Sequence, residues 1–169
     1  GSVISQTWSG SVTINGGKFY NNTATSNGGV LATINRNTTY TINGGEFCNN
    51  SAVNGGVVYM STTNGDLSTL NMTGGEIYNN TADNGGAVYI ATKAKVTLSA
   101  AEGADVGGII RDNTASQLAS NLYLGGADSS LTVGEKTLLH GGTIAGDVLF
   151  AQGGTVDLVD TQSLYNKNI

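Results

Sequence analysis

The chain has 169 residues, 38% of them hydrophobic and 11% charged, with a net charge of −5, which bounds it to one domain around one core. Its 7 Lys and Arg residues are dispersed, so no basic stripe exists for a nucleic-acid backbone, and the apolar runs are too short for a membrane-spanning helix. The 26 glycines recur in register with apolar pairs and there is no proline, a pattern of ordered turns and not of a low-complexity tract.

Gly1-Ser2 has the look of a cleavage remnant, so the chain reads as part of a longer polypeptide and as a single domain over residues 1–169. From Val12 onward three phrases repeat every 25 to 35 residues. The first is an apolar-Thr-apolar strand: Val12, Tyr40, Leu70, Val96, Leu131 and Val156 head the copies, with Ile14, Ile42, Met72, Leu98, Val133 and Leu158 two residues on. Alternation in a strand turns both of these columns inward and the intervening Thr13, Thr41, Asn71, Thr97, Thr132 and Asp157 outward. Such a column of threonines suggests an ice-binding array, but a single column interrupted by Asn71 and Asp157 is explained by the strand propensity of threonine.

The second phrase is Gly-Gly-x-(Phe/Ile)-x-x-Asn, from Gly16-Gly17 through Gly107-Gly108, and it places Phe19, Phe47, Ile77, Ile110 and Ile144 inside. Each copy ends on Asn22, Asn50, Asn80 or Asn113, whose amides can hydrogen-bond up the stack as a structural ladder. Asn21-Asn22-Thr23 and Asn79-Asn80-Thr81 match glycan acceptors, although the turn ladder claims the same residues. In the same phrase Glu46 and Glu76 are expected to stack outward near Arg111. Lys18 one coil earlier makes this a solvated charge ladder in preference to a catalytic carboxylate pair. Cys48 is expected to point outward as a free thiol with no disulfide partner.

The third phrase begins with a glycine pair, Gly28-Gly29, Gly55-Gly56 or Gly85-Gly86, each after an asparagine and each supplying a corner with positive φ. Ala119-Ser120 replaces the pair in the fourth coil and predicts a different corner there. The strand that follows turns Leu31, Val58, Val88, Leu122 and Val148 inward, then Met60, Ile90, Leu124 and Phe150. Ala32, Tyr59, Tyr89, Tyr123 and Leu149 face solvent. Tyr59, Tyr89 and Tyr123 form a column that can meet sugar rings or a protein partner, against the plain reading that tyrosine favours strands.

Between the first and second phrases the separation grows in the fourth and fifth coils, which predicts two loops, Ser99 to Val106 and Gly134 to His140. They carry Glu102, Asp105, Glu135, Lys136 and His140, and loops on a rigid frame are where solenoids place specificity. An edge bulge that blocks strand pairing explains them equally well. His140 lacks a second ligand at metal spacing, and the Asp-rich nonapeptides of calcium-binding solenoids are missing, so no metal and no cofactor are expected.

A repeat this short cannot close a core alone, so its copies must stack. The expected fold is an all-β parallel β-helix, a solenoid with three strands per coil and about five coils. The Phe-x-x-Asn and Gly-Gly-(Val/Ala) copies resemble the repeats of polymorphic outer-membrane protein passengers and related bacterial surface adhesins from residue 12 to about 124. That resemblance implies a right-handed β-helix, an extracellular or cell-surface location, and a non-catalytic adhesin that binds a host or environmental glycan or glycoprotein. A stalk that spaces other domains from the cell, and a polysaccharide lyase or hydrolase, are the competing readings. Open solenoid ends add the expectation of end-to-end self-association.

Overall fold

The computed structural model describes residues 1–34, 37–62, 67–125, 129–134 and 136–140, with side chains as far as Leu139. Beyond these it describes the backbone of strands Thr143–Ala145, Asp147–Phe150, Thr155–Asp157 and Leu164–Tyr165. The described residues form a parallel β-solenoid of about four turns, close to the count expected from sequence, and contain no helix. Every strand pairing is parallel, and strands pair with their counterparts in adjacent coils.

Four sheets run along the rod, one more than the three phrases predict. The first holds Gly10–Ile14, Thr38–Ile42, Ser68–Met72, Ala94–Leu98, Ser130–Val133 and Asp147–Phe150. The second holds Lys18–Tyr20, Glu46–Cys48, Glu76–Tyr78, Ile109–Arg111, Leu138–His140 and Thr155–Asp157. The third is short and unexpected: Ser51–Asn54, Thr81–Asn84 and Thr114–Leu118, in the stretch the sequence reading leaves to turns. The fourth begins at Ile4–Gln6 and continues through Leu31–Ile34, Val58–Ser61, Val88–Ile90 and Leu122–Leu124 to Thr143–Ala145 and Leu164–Tyr165.

Alternation of side chains along these strands builds the core directly. In Thr38–Ile42, Ser68–Met72 and Ala94–Leu98 the inward Tyr40, Ile42, Leu70, Met72, Val96 and Leu98 are fully buried. They meet Val58, Met60, Val88 and Ile90 from the fourth sheet and Phe47, Ile77 and Ile110 from the second. Phe19 stacks on Phe47 with ring centroids 4.9 Å apart and planes 4° from parallel, so like residues in adjacent coils touch face to face. Continuous apolar columns remove nearly all of this surface from water, and that burial is the main force holding the coils in register.

The C-terminal threading differs from expectation. Leu139, not Ile144, continues the second-sheet column after Ile110, while Ile144 pairs with Leu124 in the fourth sheet. Val148 and Leu149 pair with Leu131 and Thr132 in the first sheet, so Leu149 is not part of the tyrosine column and Phe150 does not follow Leu124. Val156 pairs with Leu139 and Asp157 with His140, which removes Asp157 from the threonine column. Of the loop predicted from Gly134 to His140, Leu138–His140 is instead a strand of the second sheet.

Candidate functional site

Three asparagine ladders fix the corners. Asn22 donates its backbone N–H and its side-chain amide to Asn50 Oδ1 at 3.0 and 2.8 Å, and Asn50 repeats both bonds to Asn80 Oδ1 at 2.9 Å each. Asn80 does the same to Asn113, and Asn113 to Asn121, a further rung that sequence reasoning did not find. Nδ2 of Asn50, Asn80 and Asn113 also donates back to the carbonyls of Phe19, Phe47 and Ile77, so buried donors and acceptors close on one another. A second ladder joins Asn84 to Asn54 and Asn54 to Asn27, and a third joins Thr73 and Asn15 through Asn43.

The glycine pairs divide their labour. Gly28, Gly55 and Gly85 have φ values of 57°, 65° and 60°, while each second glycine lies against the backbone carbonyl of the next coil, where a Cβ has no room. In the fourth coil Ala119 keeps the same corner at φ 56°, with Gly85 and Gly86 donating to the Leu118 and Ala119 carbonyls. The different corner expected at Ala119-Ser120 is not formed, because the neighbouring coil's hydrogen bonds impose the repeat's conformation on alanine.

The tyrosine column is present on the fourth sheet, with Tyr59, Tyr89 and Tyr123 in register and half-buried. Ring centroids are 5.8 Å apart for Tyr59 and Tyr89 and 4.7 Å for Tyr89 and Tyr123, with interplanar angles of 2° and 12°. The faces of these rings are thus spent on one another, and what reaches solvent is a comb of edges and hydroxyls, not the flat platform a sugar ring would stack on. Burial, then the charges that its two neighbours would acquire, holds the Tyr89 phenol above its ordinary pKa, so it stays a donor throughout the neutral range. Ala32 continues the column outward but is 4% exposed, since the Gly28 corner closes over it. There a pocket of about 250 Å³ opens between Ser2, Ser5, Asn27 and Ile34.

The second sheet carries a charged strip. Glu46 and Glu76 stand in register one coil apart, as expected. Lys18 Nζ lies 2.8 Å from Glu46, the Tyr78 hydroxyl donates to Glu46 at 3.3 Å, and Arg111 pairs with Glu76 and Asp112 while its guanidinium sits 5.0 Å over the Tyr78 ring. The hydrogen bond from Lys18 holds the Glu46 carboxyl below its ordinary pKa. Both glutamates are ion-paired, Glu46 with Lys18 and Glu76 with Arg111, as a charge ladder requires. Cys48 has the outward register of Tyr20 and Tyr78 yet is 3% exposed, because tyrosines flank it on both rungs. The expected exposed thiol is a covered one.

On the first sheet a second outward column, Ser11, Thr39, Thr69, Lys95 and Ser130, runs beside Thr13, Thr41, Asn71, Thr97 and Thr132, so the threonine column is not single. Lys95 and Asn71 interrupt the pair of columns midway. Of the loop residues, Glu102 and Asp105 are exposed on the segment between Leu98 and Ile109, which Lys136 tethers by donating to the Ala104 carbonyl at 2.7 Å. That segment lies at the corner of the first and second sheets, and the tyrosines lie on the fourth, so the two candidate regions are not brought together. His140 is in a strand, not a loop, and Glu135 lies outside the described residues. Among the described residues no three His, Cys, Asp or Glu side chains form a metal-holding group.

No protein family, no curated protein and no solved structure matches this chain.

Proposed function

We propose that the chain is a non-catalytic binding module of an extracellular, cell-surface protein, an adhesin whose tyrosine comb recognises a glycan or a glycoprotein. The carrying observation is the stack of Tyr59, Tyr89 and Tyr123, three parallel half-buried rings at 5.8 and 4.7 Å that present their hydroxyls in a row on an uncharged strip. Rings already locked by stacking lose little side-chain entropy on binding, which favours them as contact residues. With the ring faces occupied, recognition runs through phenol hydrogen bonds to sugar hydroxyls and through ring edges.

Glycan-array or cell-binding measurements on Tyr59→Phe with Tyr89→Phe test this reading, since phenylalanine preserves the stack and removes the comb. Two lost hydrogen bonds weaken binding roughly tenfold or more, with thermal stability unchanged. Unaltered binding by that variant and by Tyr59→Ala with Tyr89→Ala would remove the fourth sheet as the site. A stalk is the second reading, favoured by the three asparagine ladders, which spend side chains on length and stiffness. It predicts no specific signal from the wild-type chain on any glycan.

A further inference from the structure

Three N-x-(Ser/Thr) triplets recur at the same corner of successive coils: Asn21-Asn22-Thr23, Asn49-Asn50-Ser51 and Asn79-Asn80-Thr81. In sequence the whole triplet is claimed by the turn ladder, but the fold separates its residues. The middle asparagines, Asn22, Asn50 and Asn80, turn into the ladder. The first asparagines, Asn21, Asn49 and Asn79, are exposed, sit at φ 56°, 56° and 53°, and have side-chain amides that no described residue engages. In the fourth coil Asp112 holds the same corner at φ 51° and pairs with Arg111. The left-handed conformation is therefore met by a carboxylate as well, and does not by itself require an amide. Two residues on, Thr23 and Thr81 are exposed and Ser51 half-buried, its hydroxyl donating to that of Thr23 at 3.1 Å at the surface, so the hydroxyl that completes each acceptor triplet lies on the same side as its asparagine.

We propose that Asn21, Asn49 and Asn79 are acceptors for N-linked sugar, forming a column of modification sites along the corner between the second and third sheets. The donor class is a nucleoside-diphosphate hexose. The amide nitrogen bonds to the sugar C1, the C1–O bond to the diphosphate breaks, and the nucleoside diphosphate leaves with the electron pair. The proton lost from the nitrogen passes to a base of the transferase. Acceptors one rung apart are about 4.8 Å from each other, so the column takes single sugars, whereas branched glycans on adjacent rungs would collide. Asn71-Met72-Thr73 is the internal contrast: Asn71 is half-buried within the strand Ser68–Met72, where Asn21, Asn49 and Asn79 are exposed at a corner. Asn37-Thr38-Thr39 is exposed at its asparagine but belongs to no column. This reading concerns sugar the rod carries, and it stands or falls apart from any glycan the tyrosine comb binds.

The test is peptide mass spectrometry of the folded full chain after incubation with a soluble N-glycosyltransferase and nucleoside-diphosphate glucose. One hexose increment is expected on each of the peptides bearing Asn21, Asn49 and Asn79, and none on the peptide bearing Asn71. Thr81→Ala keeps Asn79 and its corner, so it removes the increment at Asn79 alone and leaves Asn21 and Asn49 modified. No increment on the folded chain, or as much on Asn71 as on the column, would overturn the assignment.

Discussion

Single residues in this rod differ sharply in how much they hold, and hydrogen-bond accounting says which. Asn80 is fully buried, accepts from the Asn50 backbone and amide, and donates to Phe47, Tyr78 and Asn113. Truncation strands several buried polar groups at once, each costing about 1–3 kcal/mol. Asn80→Ala is therefore expected to lose about 3 kcal/mol or more in urea unfolding, against less than about 1 kcal/mol for Asn43→Ala in the exposed ladder. Equal losses would show that the ladders are not ranked by burial. Tyr40 gives the opposite sign: its ring is 0% exposed, its hydroxyl is buried with no partner among the described residues, and burial pushes the phenol pKa far up. Tyr40→Phe removes that unpaired group and is expected to raise stability by about 1 kcal/mol. A loss instead would mean that an internal water satisfies the hydroxyl.

At the level of the strand, legibility from sequence followed the markers that pin register. Up to Leu124 each apolar pair is followed by a glycine pair and a ladder asparagine, so the inward columns and the tyrosine register could be counted from residue numbers alone. After Leu131 the asparagine is missing, and Gly141-Gly142 stands where a second-phrase glycine pair would be expected. Apolar-x-apolar doublets then fit more than one register, since their period of two is the same in every strand, and Ile144, Val148 and Val156 each lie in a different sheet from the one their pattern predicts. The third sheet was hidden for a different reason: Ser51–Asn54 and Thr81–Asn84 are mostly polar, and their pairing comes from neighbouring coils already held in register. Of the candidate site, the tyrosine register was visible while the mutual stacking of the rings was not, because side-chain rotamers leave no periodic trace. The charged strip of the second sheet also yields a pH prediction. Glu46 has a folded pKa below its unfolded value, so its contribution is complete above about pH 4.5 and is lost as pH falls through the lower folded value. Lys18→Met is expected to flatten that acid-side slope of the unfolding midpoint and to erase its salt dependence, both small because the pair is fully exposed. An unchanged slope would assign it to other carboxylates.

For the molecule as a whole, the open question set by a solenoid is its ends. Ile4–Gln6, Gly10–Ile14 and Lys18–Tyr20 each stand at the edge of a sheet, with one side paired and the other free among the described strands. The first coil is also poorly covered: Ile4, Val12 and Phe19 are only partly buried, and Trp8 and Val3 are 71% and 51% exposed. Free strand edges beside apolar side chains are templates for another chain, and proteins that stay monomeric place charges there. The only Lys or Arg in this coil, Lys18, is held by Glu46. End-to-end pairing of two copies through the first coil is therefore expected to appear as a sedimentation coefficient that rises with concentration. Val3→Lys is expected to weaken that rise without lowering the unfolding midpoint, because Val3 is exposed and outside the core. A wild-type chain that remains monomeric at high concentration would show that the edge strands alone do not recruit a partner, and that the first coil is protected by its short strands.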